Sequence, residues 1–158
     1  MKDNTQFFIK VIFAHVFTYI LCGIIAMNLF NYWEWIIEQE NWRKMDSIII
    51  QLALVFQIIR GILYGIVLLI IKDKIVNTKY GIIKLFIIIT ILGIFNTPGT
   101  NEGSIEGFIY LINNEPLIIR VGGLLEIMIQ NLLFCIIVCT KWKDFKYKLF
   151  KKKIRKYI

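Results

Sequence analysis

The chain has 158 residues, of which 58% are hydrophobic and 19% are charged, and its formal net charge is +8. A mean hydropathy of +0.66 is far above what a soluble domain of this length can bury, which excludes a soluble globular protein. Because every backbone group in lipid must be bonded within its own segment, apolar stretches of roughly 20 residues are expected to be helices. The sequence therefore predicts an all-α integral membrane four-helix bundle over residues 1–140, with spans at residues 11–30, 48–71, 80–95 and 117–140.

The first span raises the alternative of a signal peptide. Its apolar run is longer than the core of about 7–15 residues that such a peptide has, and no small-residue cleavage site precedes a polar start. We therefore expect a retained span. His15 lies about one turn inside it, and a lone histidine there is either hydrogen-bonded core or a ligand.

Two ionisable residues lie deep in the second and fourth spans. Arg60 is about twelve residues into span two and Glu126 about nine residues into span four, so their predicted depths differ by roughly 5 Å. Gln57 shares the helix face of Arg60, and Gln130 shares that of Glu126. Because a charge in a span costs several kcal/mol unless it is paired or hydrated, we expect Arg60 and Glu126 to interact.

Two interpretations of this polar seam stay open. In the structural one, the pair fixes the register of the bundle, and Gly61, Gly65 and the pair Gly122 and Gly123 allow close helix approach. In the functional one, the same residues line a hydrated cavity that holds an anion, a proton or a headgroup. A buried ion pair contributes little net stability by itself, which keeps the second interpretation open.

Residues 96–116 separate a short third span from the fourth and contain both prolines. Pro98 ends span three, and Ser104 is a predicted N-cap for a short apolar helix with Glu106 in its first turn. We expect an interfacial or re-entrant half-helix, which acts as a lid whose backbone includes Gly103 and Gly107. From this lid Glu102 or Glu106 is expected to turn toward Arg60, which adds Glu106 to the functional polar network. A plain amphipathic connector with solvated carboxylates is the alternative.

The loops between spans differ in their content of lysine and arginine. Both ends of the chain and the turn between spans two and three are rich in lysine, so both termini are predicted to be cytoplasmic. Residues 141–158 form a predicted basic, amphipathic cytoplasmic tail on anionic headgroups, with Lys151, Lys152, Lys153 and Arg155 as lipid contacts. The tail starts at the membrane surface, so nucleic acid is not an expected partner. The abundance of isoleucine and lysine suggests a bacterial inner membrane.

Four motifs together resemble an uncharacterised family of small four-span bacterial integral membrane proteins. They are HVFTY at residues 15–19, QIIRG at 57–61, TPGTNEGSIEGFIY at 97–110 and EIMIQ at 126–130. The resemblance implies the same four-helix topology and no established activity. Its motifs include His15, Arg60, Glu106, Glu126 and Gln130.

The residues argue against most enzyme classes. One histidine excludes a metal site with two histidines, and no phosphate-binding loop follows a strand, so neither a metal nor a cofactor is expected. The favoured hypothesis is a non-catalytic membrane module, namely an accessory, assembly or lipid-binding protein with a homo-oligomeric or protein partner in the membrane. The alternative is a small proton-coupled or anionic-solute transporter that uses Arg60 and Glu126.

Overall fold

A computed structural model of the chain describes residues 2–31, 47–96, 104–105, 109 and 117–140. The described residues are helical with short turns, and no strand occurs among them. Helix α1 spans Lys2–Leu29. Asn31, two residues beyond its end, has a φ of 53°. Asparagine adopts this left-handed conformation more readily than other non-glycine residues, so it suits a helix end. The helix begins nine residues before the predicted span, with Asp3 in its first turn, where a carboxylate complements the helix dipole.

The second apolar stretch forms two helices in sequence. Helix α2 is the single turn Ile48–Gln51, and Ser47 caps it by accepting a hydrogen bond from the Ile50 backbone N–H. Helix α3 follows at Ala53–Ile71 and continues into the π-helical turn π1 at Lys72–Val76. A turn then reverses the chain, and its Thr78 hydroxyl donates to the Ile75 carbonyl.

The remaining helices complete the described fold. Helix α4 spans Gly81–Thr90 and continues into a second π-helical segment, π2, at Ile91–Phe95. Helix α5 spans Leu117–Cys139. Three helices of the described chain, Asp3–Leu29, Ala53–Val76 and Ile118–Cys139, are long and apolar enough to cross a membrane, whereas Gly81–Phe95 is a shorter apolar helix. The predicted all-helical architecture with several long apolar helices is confirmed, and the four-span membrane bundle stays a prediction.

The principal contacts join α1 to two neighbouring helices and α4 to α5, and the short π1 segment also packs against α4. Helix α1 packs against α3 on one side and α5 on the other, and α4 packs against α5, so the order is α3–α1–α5–α4. We call the end of the molecule where α1 begins and α5 finishes the Lys10 end, and the opposite end the Gly23 end. The apolar core lies toward the Lys10 end, where the fully buried side chains include Val11, Leu85, Cys135 and Val138.

Candidate functional site

Two glycines of α3 bring its backbone against α1. A Cβ built on Gly61 would lie 3.1 Å from the Cα of Ile12, and one built on Gly65 would lie 2.6 Å from the ring of Phe8. Side chains at these positions would push the helices apart, so the glycines set the register between α1 and α3. The prediction that Gly61 and Gly65 allow close helix approach is therefore confirmed.

His15 is the centre of a polar and aromatic cluster that joins three helices. The side chain is 3% exposed, and its Nε2 lies 3.1 Å from Oε1 of Gln57 on α3. A carbonyl oxygen only accepts hydrogen bonds, so Nε2 carries the proton and donates it to Gln57. The rings of Tyr64 and Phe134 lie 5.1 Å and 6.2 Å from the imidazole, centroid to centroid. We name these four residues, His15, Gln57, Tyr64 and Phe134, the His15 cluster.

Thr18 shows how α1 satisfies a buried hydroxyl without a partner helix. Its side chain is fully buried, and Oγ1 lies 2.8 Å from the carbonyl oxygen of Ala14 and 3.2 Å from that of His15. Back-bonding to the preceding turn is the usual solution for threonine inside a helix. Both polar side chains near the middle of α1 therefore have hydrogen-bond partners: His15 bonds to α3, and Thr18 bonds to its own helix.

Glu126 lies elsewhere, toward the Gly23 end of the bundle. Its Oε1 is 3.8 Å from the position that a Cβ on Gly23 would occupy. The Glu126 side chain is half-buried, as is that of Gln130 one turn further along α5. A Cβ at Gly23 would be in ordinary van der Waals contact with the carboxylate, so the approach of Glu126 to α1 does not require a glycine there.

The structure does not bring Arg60 and Glu126 together, contrary to the sequence-based expectation. Arg60 precedes Gly61, which lies against Ile12, whereas Glu126 lies against Gly23. Arg60 and Glu126 therefore lie beside positions on α1 that are about ten residues apart, which is about 15 Å along the helix axis. The predicted depth difference of roughly 5 Å between Arg60 and Glu126 requires spans two and four to begin at the same height. In the structure α5 begins further toward the Gly23 end than α2 does.

Arg60 instead occupies an outward face of α3. Gln57 and Tyr64 contact the His15 ring, whereas the Arg60 side chain is exposed. Among the described residues no carboxylate forms an ion pair with it. Its neighbours along this face are apolar and largely exposed: Phe56 at 51%, Leu63 at 59% and Val67 at 54%. We name Phe56, Arg60, Leu63 and Val67 the Arg60 face.

Two features of the structure were not predicted from the sequence. Lys10 donates from Nζ to the carbonyl oxygens of Val138, at 2.8 Å, and Thr140. It thereby caps the C-terminus of α5, where a cation complements the helix dipole. Thr90 is buried at the junction of α4 and π2, and its hydroxyl has no hydrogen-bond partner among the described residues. The position of Lys10 at the start of a long apolar stretch could have suggested its capping role. Nothing in the sequence indicated that Thr90 would be buried without a hydrogen-bond partner.

Several predicted site residues lie outside the described part of the chain. Of the predicted lid, Ser104 is described and is buried at 2% exposure, whereas Gly103, Glu106 and Gly107 lie outside. The tail residues Lys151, Lys152, Lys153 and Arg155 also lie outside. The proposed lid contacts and lipid contacts stay predictions.

The described residues contain no group of three or more histidine, cysteine, aspartate or glutamate side chains that could hold a metal ion. Comparison with protein-family models, curated proteins and solved structures gives no significant match for this chain. The resemblance to small four-span bacterial membrane proteins therefore stays a prediction, and function must be argued from the helices themselves.

Proposed function

We propose that this chain is a non-catalytic, multi-pass protein of a bacterial cytoplasmic membrane that binds another membrane component and so acts as an accessory or assembly module. In this proposal α4 with π2 forms the short third of four spans, and the segment before α5 forms an interfacial half-helix. The Lys10 end faces the cytoplasm because the lysine-rich turn, the start of α1 and the end of α5 belong to that end.

The position of Arg60 is the observation that carries the proposal. The residue is about twelve positions from Lys72 and about thirteen from Ser47, so it lies roughly 18 Å from either end of the second span, near its middle. A charged side chain that faces lipid at this depth is costly, and such residues usually face a protein interior, a partner or water. The Arg60 face is therefore best explained as a surface that another membrane component covers.

The contacts of the other polar residues support a structural role for them. His15 and Gln57 bond to each other, Thr18 bonds to its own helix, and Lys10 bonds to the end of α5. The described helices thus use these groups to hold themselves together. The alternative, a transporter, would use Arg60 and Glu126 along one pathway. The two residues are separated by about 15 Å along the bundle, which argues against a single site that contains both.

Site-specific photo-crosslinking in cells tests the proposal. A photoreactive residue at Leu63, on the Arg60 face, is expected to give a discrete crosslinked product. The same residue at Ile87 on α4, which is exposed at 48%, serves as the matched control and is expected to crosslink only to lipid. Equal, diffuse labelling at both positions would contradict the proposal.

A transport measurement separates the two hypotheses. Purified protein in liposomes, with and without a pH gradient, is expected to produce no protein-dependent flux of protons or small anions. Flux that depends on both Arg60 and Glu126 would establish the transporter and overturn the assembly module.

A further inference from the structure

We propose that the Arg60 face binds a transmembrane helix of another protein that carries a carboxylate near the middle of its span. The inference rests on the proposed function and names the chemistry of the partner. Its first basis is charge: Arg60 is exposed, and the described carboxylates, Asp3, Asp73 and Glu126, all lie at other heights along the bundle. A guanidinium in a poorly hydrated site needs an anion, and a carboxylate can accept two hydrogen bonds from it.

The shape of the surface fits a helix. Phe56, Arg60, Leu63 and Val67 follow the spacing of one helix face, and the three apolar members are each more than half exposed. A partner helix that lay along this face would cover the apolar side chains above and below Arg60. The cation would then be enclosed by apolar contacts, and a carboxylate at the same height would meet it.

A second copy of this chain does not supply that carboxylate from the described helices. Copies of one protein share one orientation in the membrane, so each residue lies at the same height in both. Of the described acidic residues, Glu126 is about 15 Å nearer the Gly23 end than Arg60, and Asp73 is about 20 Å nearer the Lys10 end. Asp3 lies at that same end, since its neighbour Asn4 accepts a hydrogen bond from Lys72.

A lipid phosphate is also a poor match for the position of Arg60. Lysine and arginine side chains reach headgroups when they lie near the end of a span. Arg60 is roughly 18 Å from either end of its span, which is more than one side chain can bridge. The partner must therefore bring its anion into the hydrocarbon layer, as a carboxylate on a transmembrane helix does.

Synthetic peptides provide the probe, because the natural partner need not be known. Four single-span peptides of leucine and alanine, with about 20 apolar residues each, carry Glu, Gln, Leu or Lys at the central position. Association with the full-length protein is measured by energy transfer in liposomes of zwitterionic lipid. The Glu peptide is expected to bind about tenfold more tightly than the Leu peptide, which is the size of a favourable interhelical polar contact.

Variants of the protein assign the preference to Arg60. Arg60→Leu is expected to abolish the preference for the Glu peptide, and Arg60→Lys to retain most of it, because the charge remains. Arg60→Glu is expected to reverse it in favour of a peptide with a central lysine. Lys84→Leu removes another exposed cation, on α4, and is expected to leave the preference unchanged. Circular dichroism of each variant checks that the helices are intact.

The outcomes are decisive in each direction. Equal binding of the Glu and Leu peptides, or a preference that survives Arg60→Leu, would overturn the inference. Competition by added anionic lipid in place of any peptide preference would identify a headgroup as the anion, and energy transfer between copies that Arg60→Leu abolishes would identify a second copy. Either would also overturn it. A discrete crosslink at Leu63 without a preference for the Glu peptide would leave the proposed function standing and remove only the carboxylate.

Discussion

Two glycines near α4 differ in what an added methyl group would meet. At Gly81, where α4 begins, a built Cβ would collide with the backbone carbonyl oxygens of Val76 and Ile75, the second at 2.9 Å. Backbone atoms cannot turn aside as the end of a flexible side chain can. At Gly93, within π2, a built Cβ would meet nothing within 4 Å. Identical chemical changes at the two positions should therefore have different effects.

We predict that Gly81→Ala lowers the free energy of unfolding by about 1–3 kcal/mol, the usual cost of forcing extra atoms into a packed site. Gly93→Ala is expected to be neutral or slightly stabilising, since alanine favours the helix and has space there. Thermal unfolding in detergent measures both. Equal melting temperatures for the two variants would show that the turn before α4 relaxes freely.

The hydrogen bond between His15 and Gln57 gives a second prediction for single residues. His15→Ala leaves the Gln57 oxygen without a donor in a poorly hydrated site, and Gln57→Leu leaves the imidazole without an acceptor. Each variant should lose about 1–3 kcal/mol, the cost of an unsatisfied buried polar group. The double variant should lose less than the sum, by about 0.5–2 kcal/mol. Strict additivity in the thermal cycle would mean that the two side chains do not stabilise each other.

At the scale of helices, Lys10 links the first and last described helices. It reaches from α1 to the final carbonyl groups of α5, which have no partner within their own helix. We predict that Lys10→Met destabilises the last turn of α5, at residues 136–140, by about 1 kcal/mol. Hydrogen exchange of those amides should accelerate. Lys72→Met is the matched control, because Lys72 donates only to the exposed Asn4 side chain and lies over the Phe7 ring.

Should exchange at residues 136–140 respond equally to both variants, the capping role of Lys10 would be contradicted.

The helices themselves could be predicted from the sequence, but their registers could not. Apolar runs of span length predicted α3 and α5 to within a few residues, because lipid permits few alternatives. The start of α1 was missed, since a helix continues into polar residues as long as no residue breaks it. Arg60 and Glu126 show the larger limit. Both depths were counted from span starts, yet the register depends on contacts such as Gly61 against Ile12, which a single sequence does not reveal.

For the whole molecule, the orientation in the membrane is the first prediction. The lysine bias predicts that Lys79 is cytoplasmic and Asn101 is on the opposite side. Reporter fusions at these two positions should therefore give opposite signals. An external Lys79 would reverse the proposed orientation of the bundle and place the basic turn on the wrong side of the membrane.

The arrangement of the helices was also beyond the sequence. Short connections favour neighbouring helices in a bundle, and they would have paired α3 with α4. In the structure α4 contacts π1 beside the turn, but its most extensive contacts with another long helix are with α5, and α1 lies between α3 and α5. The candidate site depends on this order, because α1 brings His15 to both Gln57 on α3 and Phe134 on α5. Residue types alone do not reveal which helix lies in the middle.

The order α3–α1–α5–α4 has a consequence for the sequence of events during synthesis. Helices α1 and α3 can pair as soon as both have left the ribosome, whereas α4 emerges before its main contact, α5, has been made. The nascent chain therefore holds a short apolar helix without its neighbour until residues beyond 117 are translated. A fragment of residues 1–79 should retain the α1–α3 pair. The contact of Lys10 with the end of α5 can form only when nearly the whole membrane domain has been translated, so it completes the assembly.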